Sequence, residues 1–319
     1  MEAIHFLVFT AKQIERDALN SCGLTACQDK NGKLCYQGSI VNSPSKLRFD
    51  LVHYMIGAST NLYSASTVSN CLALWDPEFV ILLGIAAGFE DKGVNIGDVL
   101  VSDKVVYYEK SKVKEDGVVE IRYDSWKSSD TLRGFLEDIC THKWQFRSRL
   151  KKECTKLELS KLNVHFGSIL SGEKIVDDPE FRKELQKGCP EAIGLEMEAA
   201  GIHVSLWKSF DSSNATTIKG VSDYAQNKKD DYQKCAACSA AEFFLELLEN
   251  GVLEPFQAVD RIIRDSAVRA FCRQEGLIPT DEFLKEAHVI TAEIFRNSMN
   301  RAKANSRKTI RSFDFNIDS

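Results

Sequence analysis

The feature that most constrains the fold is a fully apolar stretch, Phe79 to Leu83, which runs directly into Gly84 to Gly88. A strand that is apolar at every position must be covered on both faces. Residues 49–56 before it have strand character. Ala65 to Trp75 has helical character, and Asp76-Pro77 is expected to end that helix. Strand, helix and fully apolar strand in this order predict a βαβ unit of a sheet with helices on both sides.

Elements of both types continue along the chain. Ile4 to Phe9 is predicted to be a buried strand, and Thr10 is expected to cap the helix after it. Turn signals at Asn31-Gly32 and Asn42-Pro44 indicate a hairpin-like region. Further strands are predicted at residues 98–102, 105–108, 163–170 and 216–220, and helices at residues 132–140, 144–153, 196–210 and 231–250. We therefore predict a three-layer α/β/α domain with a mixed, twisted central sheet over residues 1–252.

A boundary follows this domain, because Gly251 and Pro255 interrupt the helical pattern. Residues 253–319 are predicted to form a helical extension, with helices at 259–274 and 281–304. Its last part is rich in arginine and lysine. Such a stretch is either a solvated helix face with a loose tail or an arm for oligomerisation or a partner.

The charge and the apolar runs exclude several classes of function. The net charge is −5, so bulk electrostatics do not favour nucleic acid as a partner. No apolar run approaches the roughly 20 residues that cross a bilayer. The N-terminus lacks the basic segment of a signal peptide. We expect a cytoplasmic protein without membrane contact.

The ten cysteines are expected to be reduced in such a location. Cys235 and Cys238 form a C-x-x-C, but it lies in a helical pattern of Ala, Phe and Leu with no second C-x-x-C. Helix packing is favoured over a metal or redox role. We expect no metal and no cofactor.

Carboxylates near strand ends are the candidates for chemistry, since ligands of such sheets bind beyond the carboxyl ends of the strands. Glu196 and Glu198 flank Met197 where a strand gives way to a helix. A carboxylate accepts two hydrogen bonds from the hydroxyls of a ribose, and methionine offers an apolar surface beside it. Acids at the start of a helix also interact favourably with the helix dipole. This motif alone is therefore compatible both with a ribose-binding carboxylate and with acids that only stabilise the helix.

Two further acids have weaker signals. Asp223 follows an apolar strand and Gly220, so it projects from a strand end. In a partly desolvated pocket it can hold a proton and donate it, although an Asp there can also cap a helix. Glu15 lies on the first predicted helix, where an exposed acid is the ordinary reading.

Four blocks of the sequence, in this order, resemble the nucleoside phosphorylase and methylthioadenosine/S-adenosylhomocysteine nucleosidase superfamily. The resemblance covers roughly residues 3 to 250. The blocks are V-I-L-L-G-I-A-A-G-F from Val80 with I-G-D-V-L-V-S from Ile96, G-S-I-L-S-G-E-K-I-V from Gly167, G-L-E-M-E-A-A from Gly194, and K-G-V-S-D-Y from Lys219.

The resemblance implies a purine nucleosidase, with adenine favoured, and assigns roles to residues. Asp223 matches the general acid that protonates the purine at N7, and Glu198 matches the ligand of the ribose hydroxyls. Glu15 fits the spacing of the glutamate that activates water. The other residues implied to contact the substrate are Met197, Glu196, Ile175, Val176, Ala86, Ala87 and Ser222. Family members usually assemble, so a homo-oligomer is expected.

The nucleophile is predicted to be water. Phosphorolytic members bind phosphate with arginines after the first strand and just before the loop at Gly84. Here those places hold Phe9 to Lys12 and Leu82-Leu83, without arginine. Arg16 lies next to Glu15, where a helix turns it away, and nothing in the sequence brings Arg48 to the site.

Two questions about the substrate stay open. Lys219, Lys228 and Lys229 are either contacts for the phosphates of a nucleotide or exposed lysines. Related domains deplete nucleotides in bacterial defence, which the resemblance permits for this chain.

Alternatives to a nucleosidase are a phosphate-dependent phosphorylase and a non-catalytic sensor that binds a nucleoside. A dinucleotide-binding oxidoreductase is set aside, because Gly84 to Gly88 lacks the G-x-G-x-x-G spacing.

Overall fold

The computed structural model describes residues 2–141, 154–155, 157, 162–209, 214–226 and 230–251, except 116 and 118, and eight positions between 272 and 294. By its contacts the chain divides into Met1–Leu253 and Glu254–Ser319. The helices predicted at 144–153, 259–274 and 281–304 lie wholly or largely outside the described residues, as do residues 228 and 229. The roles of the two parts of the chain stay a prediction.

Within the described residues, the structure has twelve strands and six α-helices, joined by loops and short 3-10 turns. The strands are β1 Glu2–Thr10, β2 Thr25–Gln28, β3 Leu34–Val41, β4 Arg48–Met55, β5 Trp75–Gly88, β6 Val99–Tyr107, β7 Ser111–Val113, β8 Val119–Ile121, β9 Asp124–Lys127, β10 Val164–Ser171, β11 Ala192–Glu196 and β12 Ala215–Asp223. The helices are α1 Gln13–Asn20, α2 Asn61–Leu72, α3 Asp130–Thr141, α4 Pro179–Gly188, α5 Ala199–Ser209 and α6 Gln233–Asn250.

Ten strands form one mixed sheet in the order β11-β10-β6-β12-β5-β1-β4-β3-β2, with β9 paired to β6. The pairs β4–β1, β1–β5, β5–β12, β6–β10 and β10–β11 are parallel. The pairs β6–β12, β3–β4 and β2–β3 are antiparallel. An extra antiparallel pairing joins Gly194 and Leu195 of β11 to Gly88 and Ala87 of β5. The sheet therefore curls back on itself at the carboxyl end of β5.

Side chains of β1 alternate between two apolar layers, as a strand covered on both faces requires. Leu7 and Phe9 belong to the cluster that includes α2 and α5. Phe6 points the other way and packs edge-on against Phe244 of α6, with ring centroids 5.7 Å apart. Helices α2 and α5 pack on each other, while α6 covers β12 and β5 and contacts α1 and α3. The predicted three-layer α/β/α class is confirmed.

Three local predictions were wrong. Thr10 does not cap α1: it ends β1 and its hydroxyl bonds to His53, while the helix begins after Lys12. Asp76-Pro77 does not end α2, which stops at Leu72; both residues lie in β5, held by pairing with β1. Residues 196–198 are not helical, because Glu196 completes β11 beside β10.

A disulfide joins Cys154 to Cys235, the latter in the first turn of α6. The expectation that all ten cysteines are reduced is therefore wrong for this pair. Cys235 is nevertheless buried in the helix, as the composition around it predicted. The bond lies in a small cluster with Leu157, Leu162 and Cys238, so these residues attach the segment before β10 to α6.

Within the residues that the structure describes, no helix combines the length and the apolar character that crossing a membrane would need.

The contact between β12 and α6 depends on Gly220. A Cβ atom at this position would overlap the backbone carbonyl of Ala236, which cannot rotate away. We expect Gly220→Ala to lower the free energy of unfolding by about 3 kcal/mol or more, because overpacking here must displace a helix. Urea unfolding followed by circular dichroism measures the change.

Gly134→Ala is the matched control. Gly134 lies within α3, and a Cβ atom there meets nothing within 4 Å. Alanine should stabilise this helix by about 0.5–1 kcal/mol. Equal unfolding midpoints for the two variants would contradict the packing that we describe.

Candidate active site

The carboxyl ends of β5, β10, β11 and β12 meet at one edge of the sheet. The parallel pairings of β5 with β12 and of β10 with β11, together with the contact between β5 and β11, bring these ends together. Helix α1, which follows β1, begins at the same edge because β1 is parallel to β5. A pocket with a cavity volume of about 170 Å³ opens there, at the place where α/β sheets bind ligands.

All ten residues named from the sequence line this pocket. They are Glu15, Ala86, Ala87, Ile175, Val176, Glu196, Met197, Glu198, Ser222 and Asp223. Six further lining residues were not predicted: Lys12, Ser59, Ile85, Lys174, Leu195 and Gln233. Ile85, Lys174 and Leu195 lie inside the blocks that carry the resemblance, whereas Lys12, Ser59 and Gln233 lie outside them, in loops or at the start of a helix.

Glu15 turns from its helix into the sheet edge instead of facing solvent. Its Oε2 accepts the backbone N–H groups of Ala11 at 2.7 Å and Lys12 at 2.8 Å, and its Oε1 accepts that of Ile85 at 2.9 Å. The side chain thus satisfies the N–H groups that precede α1 and joins α1 to β5. A carboxylate has about four lone-pair sites. Three of them accept backbone N–H groups here.

Gly84 makes room for this carboxylate. A Cβ atom at Gly84 would lie 2.5 Å from Glu15 Oε1 and 3.0 Å from Lys219 Nζ. Any side chain at this position would therefore displace both charged groups. Glycine at position 84, within β5, is therefore required because of this lack of space and not because of its φ angle.

Lys219 is completely buried in the middle of β12 and faces the acids. Its ammonium group lies 2.9 Å from Glu198 Oε2 and 3.4 Å from Glu196 Oε2. A buried ammonium is stable only when it is paired. The sequence left open whether Lys219 contacts phosphates or is exposed. The structure shows neither, since this lysine neutralises the carboxylates under the pocket.

The four charged groups shift one another's pKa values. Burial raises the pKa of Glu196 to about 7, against the opposing effect of Lys219. Burial also raises the pKa of Glu15, although Lys219 and the backbone N–H groups of Lys12 and Ile85 oppose it. Burial acts in the same direction on Glu198, but the charge and hydrogen bond of Lys219 outweigh it and lower that pKa.

Lys219 stays protonated over the pH range in which the neighbouring carboxyls titrate. Burial lowers its pKa, but the charges of Glu198, Glu196 and Glu15 outweigh this effect and raise the pKa above its usual value. The cluster thus holds one firm ion pair, Lys219 with Glu198, and two carboxyls that take up a proton more readily than exposed acids do.

Glu196 is bound mainly to backbone. Its carboxylate accepts the N–H groups of Glu198 at 3.0 Å and of Ala199, the first residue of α5, at 3.0 Å. An acid at this position stabilises the start of a helix. The carboxylates of Glu196 and Glu198 both converge on the ammonium group of Lys219.

Asp223 is held at the end of β12 by its neighbours. Its Oδ2 accepts a hydrogen bond from the hydroxyl of Ser222 at 2.8 Å, and its Oδ1 accepts the N–H of Ala225 at 2.9 Å. The side chain is nine-tenths buried and still lines the pocket.

The first turn of α2 supports the loop that carries Glu198. The hydroxyl of Ser64 donates to the carbonyl of Glu198 at 2.9 Å. The buried Asn61 donates to the carbonyl of Gly172 at 3.0 Å and accepts from Ser171 at 3.0 Å and from the N–H of Gly201 at 2.9 Å. One amide therefore joins β10, α5 and α2 beneath the pocket.

The cations at the pocket are lysines. Lys12 and Lys174 line it, and no arginine is among its described lining residues. Arg16 pairs with Asp17 at 2.6 Å, and Arg48 pairs with Asp50 at 3.3 Å. Over the same described part of the chain, no group of three or more His, Cys, Asp or Glu side chains is arranged to hold a metal ion.

Comparison with known proteins assigns the chain to a family. No protein-family model matches it. A 5′-methylthioadenosine/S-adenosylhomocysteine nucleosidase from Staphylococcus epidermidis is 30% identical over 183 residues, which are 55% of this chain and 72% of that protein. The chain belongs to the nucleoside phosphorylase/nucleosidase superfamily.

Two other members extend this comparison. A death domain-containing ATP nucleosidase from Amphimedon queenslandica is 32% identical over 204 residues, which are 61% of this chain and 38% of that protein. This chain therefore spans about two fifths of the length of that superfamily member. The same fold is found in a 5′-methylthioadenosine/S-adenosylhomocysteine nucleosidase from Neisseria meningitidis in complex with methylthio-immucillin-A. It has a TM-score of 0.57 and 21% identity, and the match covers 78% of this chain and 99% of that one.

Removing the buried cation should be costly. We expect Lys219→Met to lower the free energy of unfolding by about 3 kcal/mol or more, because breaking a buried ion pair leaves uncompensated charge. Thermal unfolding and urea titration at pH 8, where the carboxyls are most ionised, measure the loss.

Lys104→Met provides the control for this prediction. Lys104 pairs with Glu191 at 2.8 Å, but this pair is exposed and should contribute less than about 1 kcal/mol. A Lys219→Met variant as stable as Lys104→Met would contradict the buried pairing.

The raised pKa of Glu196 predicts how stability depends on pH. A raised folded pKa contributes stability that is present below the unfolded value of 4.5 and is lost as pH rises through about 7. Glu196→Gln does not titrate and can still accept the N–H of Ala199. Between about pH 5 and pH 8, the variant should gain on the order of 1 kcal/mol or more relative to the wild type. Parallel urea unfolding curves measure it, and a difference independent of pH would contradict the shift.

Proposed function

We propose that this protein hydrolyses the N-glycosidic bond of a purine nucleoside or nucleotide, with adenine as the favoured base. The observation that carries this proposal is the meeting of Glu15, Glu198 and Asp223 in one pocket. They come from three separate elements, α1, the loop after β11 and the end of β12. Acids from distant parts of the chain converge on one point when a reaction needs them there, since folding gains little from burying them.

Asp223 is proposed as the general acid. Departure of the base places negative charge on the purine, and a proton delivered to N7 neutralises it. The two hydrogen bonds to its carboxylate fix the direction of this group. A positioned acid of this kind contributes about 10²- to 10⁴-fold to a rate.

Glu198 and Met197 are proposed to hold the ribose. Positive charge develops on the sugar as the bond breaks, and a carboxylate beside it stabilises that charge more in the transition state than in the ground state. Because Lys219 keeps Glu198 ionised, this carboxylate is available at neutral pH. Ile175 and Val176 are proposed to contact the base, with Ala86 and Ala87 near the glycosidic bond, and Ser222 orients the acid. Glu196 is proposed to act less on the substrate than on α5 and Lys219.

Glu15 is proposed to activate the attacking water. Its side chain lines the pocket, and burial raises its pKa, which makes this carboxylate a stronger base than an exposed one. Three backbone hydrogen bonds keep it in place, so no reorganisation is needed when water binds.

Water is favoured over phosphate as the nucleophile. A phosphate needs several fixed cations, usually arginines that bind two of its oxygens. Among the described lining residues, the only cationic side chains are Lys12 and Lys174, and Lys174 forms an ion pair with Glu109.

Adenine is favoured because the relatives' names include methylthioadenosine and ATP. Nucleotides belong in the proposal because one relative is named an ATP nucleosidase. A homo-oligomer, a cytoplasmic location and a defence role in which nucleotides are depleted stay predictions.

The test is release of free base, followed by chromatography. The purified chain is incubated with adenosine, methylthioadenosine, inosine, guanosine, AMP and ATP, each with and without phosphate. We expect base release without phosphate, and a loss of about 10²-fold or more for Asp223→Asn and Glu15→Gln. Asp91→Asn, at an exposed acid bonded to Gln186, should retain wild-type activity.

Other outcomes would overturn the proposal in different ways. A rate that requires phosphate would make the protein a phosphorylase. Intact substrate after long incubation, with tight binding, would make it a nucleoside sensor. Full activity of Asp223→Asn would remove the proposed acid.

A further inference from the structure

The segment that follows β12 contains an unusual backbone conformation. Ala225 has a φ of 56° and is completely buried. A residue with a Cβ atom in this left-handed region costs about 1 kcal/mol or more, so surrounding contacts must hold it there. Its N–H is the group that bonds to Asp223 Oδ1. The position of the carboxylate therefore depends on a strained residue.

A guanidinium from another element contacts the same peptide unit. Arg182 lies on α4, and its Nη1 donates to the carbonyl oxygen of Tyr224 at 2.9 Å. This carbonyl and the N–H of Ala225 belong to one planar trans peptide group, so they point in opposite directions. A donor on the carbonyl fixes the plane and directs the N–H at Asp223. It also polarises the amide, which strengthens the hydrogen bond on the other side.

Folding alone does not favour arginine at this position. Arg182 is 9% exposed, and its Nε has no hydrogen-bond partner among the described residues. An unsatisfied buried N–H costs about 1–3 kcal/mol. Packing of α4 on the adjacent core cluster is provided by Phe181 and Leu185, and Arg182 is not part of that cluster.

We propose that Arg182 is a positioning residue that acts on Asp223 through the peptide between Tyr224 and Ala225. The inference rests on the proposed function, because it concerns how the proposed acid is oriented. It adds α4 to the elements on which the reaction depends, although Arg182 does not line the pocket. Misplacing an acid by a fraction of an ångström lowers the rate of proton transfer and leaves the binding of base and sugar unchanged.

The test uses Arg182→Met in the full chain. We expect kcat for base release to fall about 10- to 100-fold, while KM changes less than about 3-fold. The melting temperature should change little, because the variant removes the unsatisfied N–H of Arg182 but also leaves the carbonyl of Tyr224 without this donor. Lys183→Met is the matched control: Lys183 is on the same helix but exposed and paired with Glu180, and its loss should not affect kcat.

Two further measurements separate positioning from a general structural effect. In the Asp223→Asn background, Arg182→Met should cost less than about 3-fold more, since residues that act as a unit are not additive. Without substrate, the amide proton of Ala225 should exchange with solvent about 10-fold faster in Arg182→Met than in the wild type.

A folded Arg182→Met with wild-type kcat, a rise in KM alone, or a loss that adds fully to that of Asp223→Asn would each overturn the inference. If the wild type releases no base, the proposed function fails. The exchange rate of Ala225 then still reports whether Arg182 holds this peptide.

Discussion

The ammonium group of Lys219 is the interaction on which the acidic side of the pocket depends. Glu15, Glu196 and Glu198 are all buried within reach of its charge. Without a cation, three carboxyls in one dry region would bind protons and lose their charges. One lysine neutralises about one of them, so the remaining two have raised pKa values. Glu196, with a pKa of about 7, is thus balanced between its charged and neutral forms near neutral pH.

This electrostatic arrangement also determines the packing around it. Gly84 has no side chain because the carboxylate and the ammonium occupy that space. Glu196 is held by the start of α5 and Glu15 by the start of α1, so two helices begin where the acids need N–H donors. The helices, the central strand β5 and the buried lysine therefore form one unit. A substitution in any of them will therefore alter the positions and pKa values of the carboxylates.

Much of this was accessible from the sequence. The apolar stretch at 79–83 predicted a strand covered on both faces, and the motifs around Glu198 and Asp223 predicted acids at strand ends that the pocket brings together. The main error concerned Lys219. A lysine between Ile218 and Gly220, inside an apolar strand, signals a buried cation, and such a cation requires acidic partners.

Other features had no sequence signal that could have shown them. The extent of β5 before Phe79 follows from its pairing with β1, which overrides the local preference of Asp76-Pro77. Arg182 reaches Tyr224 across 42 positions of the chain, and the capping of α1 by Glu15 depends on the sheet edge beside it. The disulfide has a wider consequence. Cys154 and Cys235 close a loop with a sequence separation of 81, which contains Val176, Glu198, Lys219 and Asp223 but not Glu15. Closing such a loop lowers the conformational entropy of the unfolded chain, which stabilises the folded state by about 4 kcal/mol. Reducing conditions that break this disulfide will therefore make this half of the pocket less resistant to heat and proteases. Neither cysteine lines the pocket, so the groups that face a ligand stay chemically unchanged.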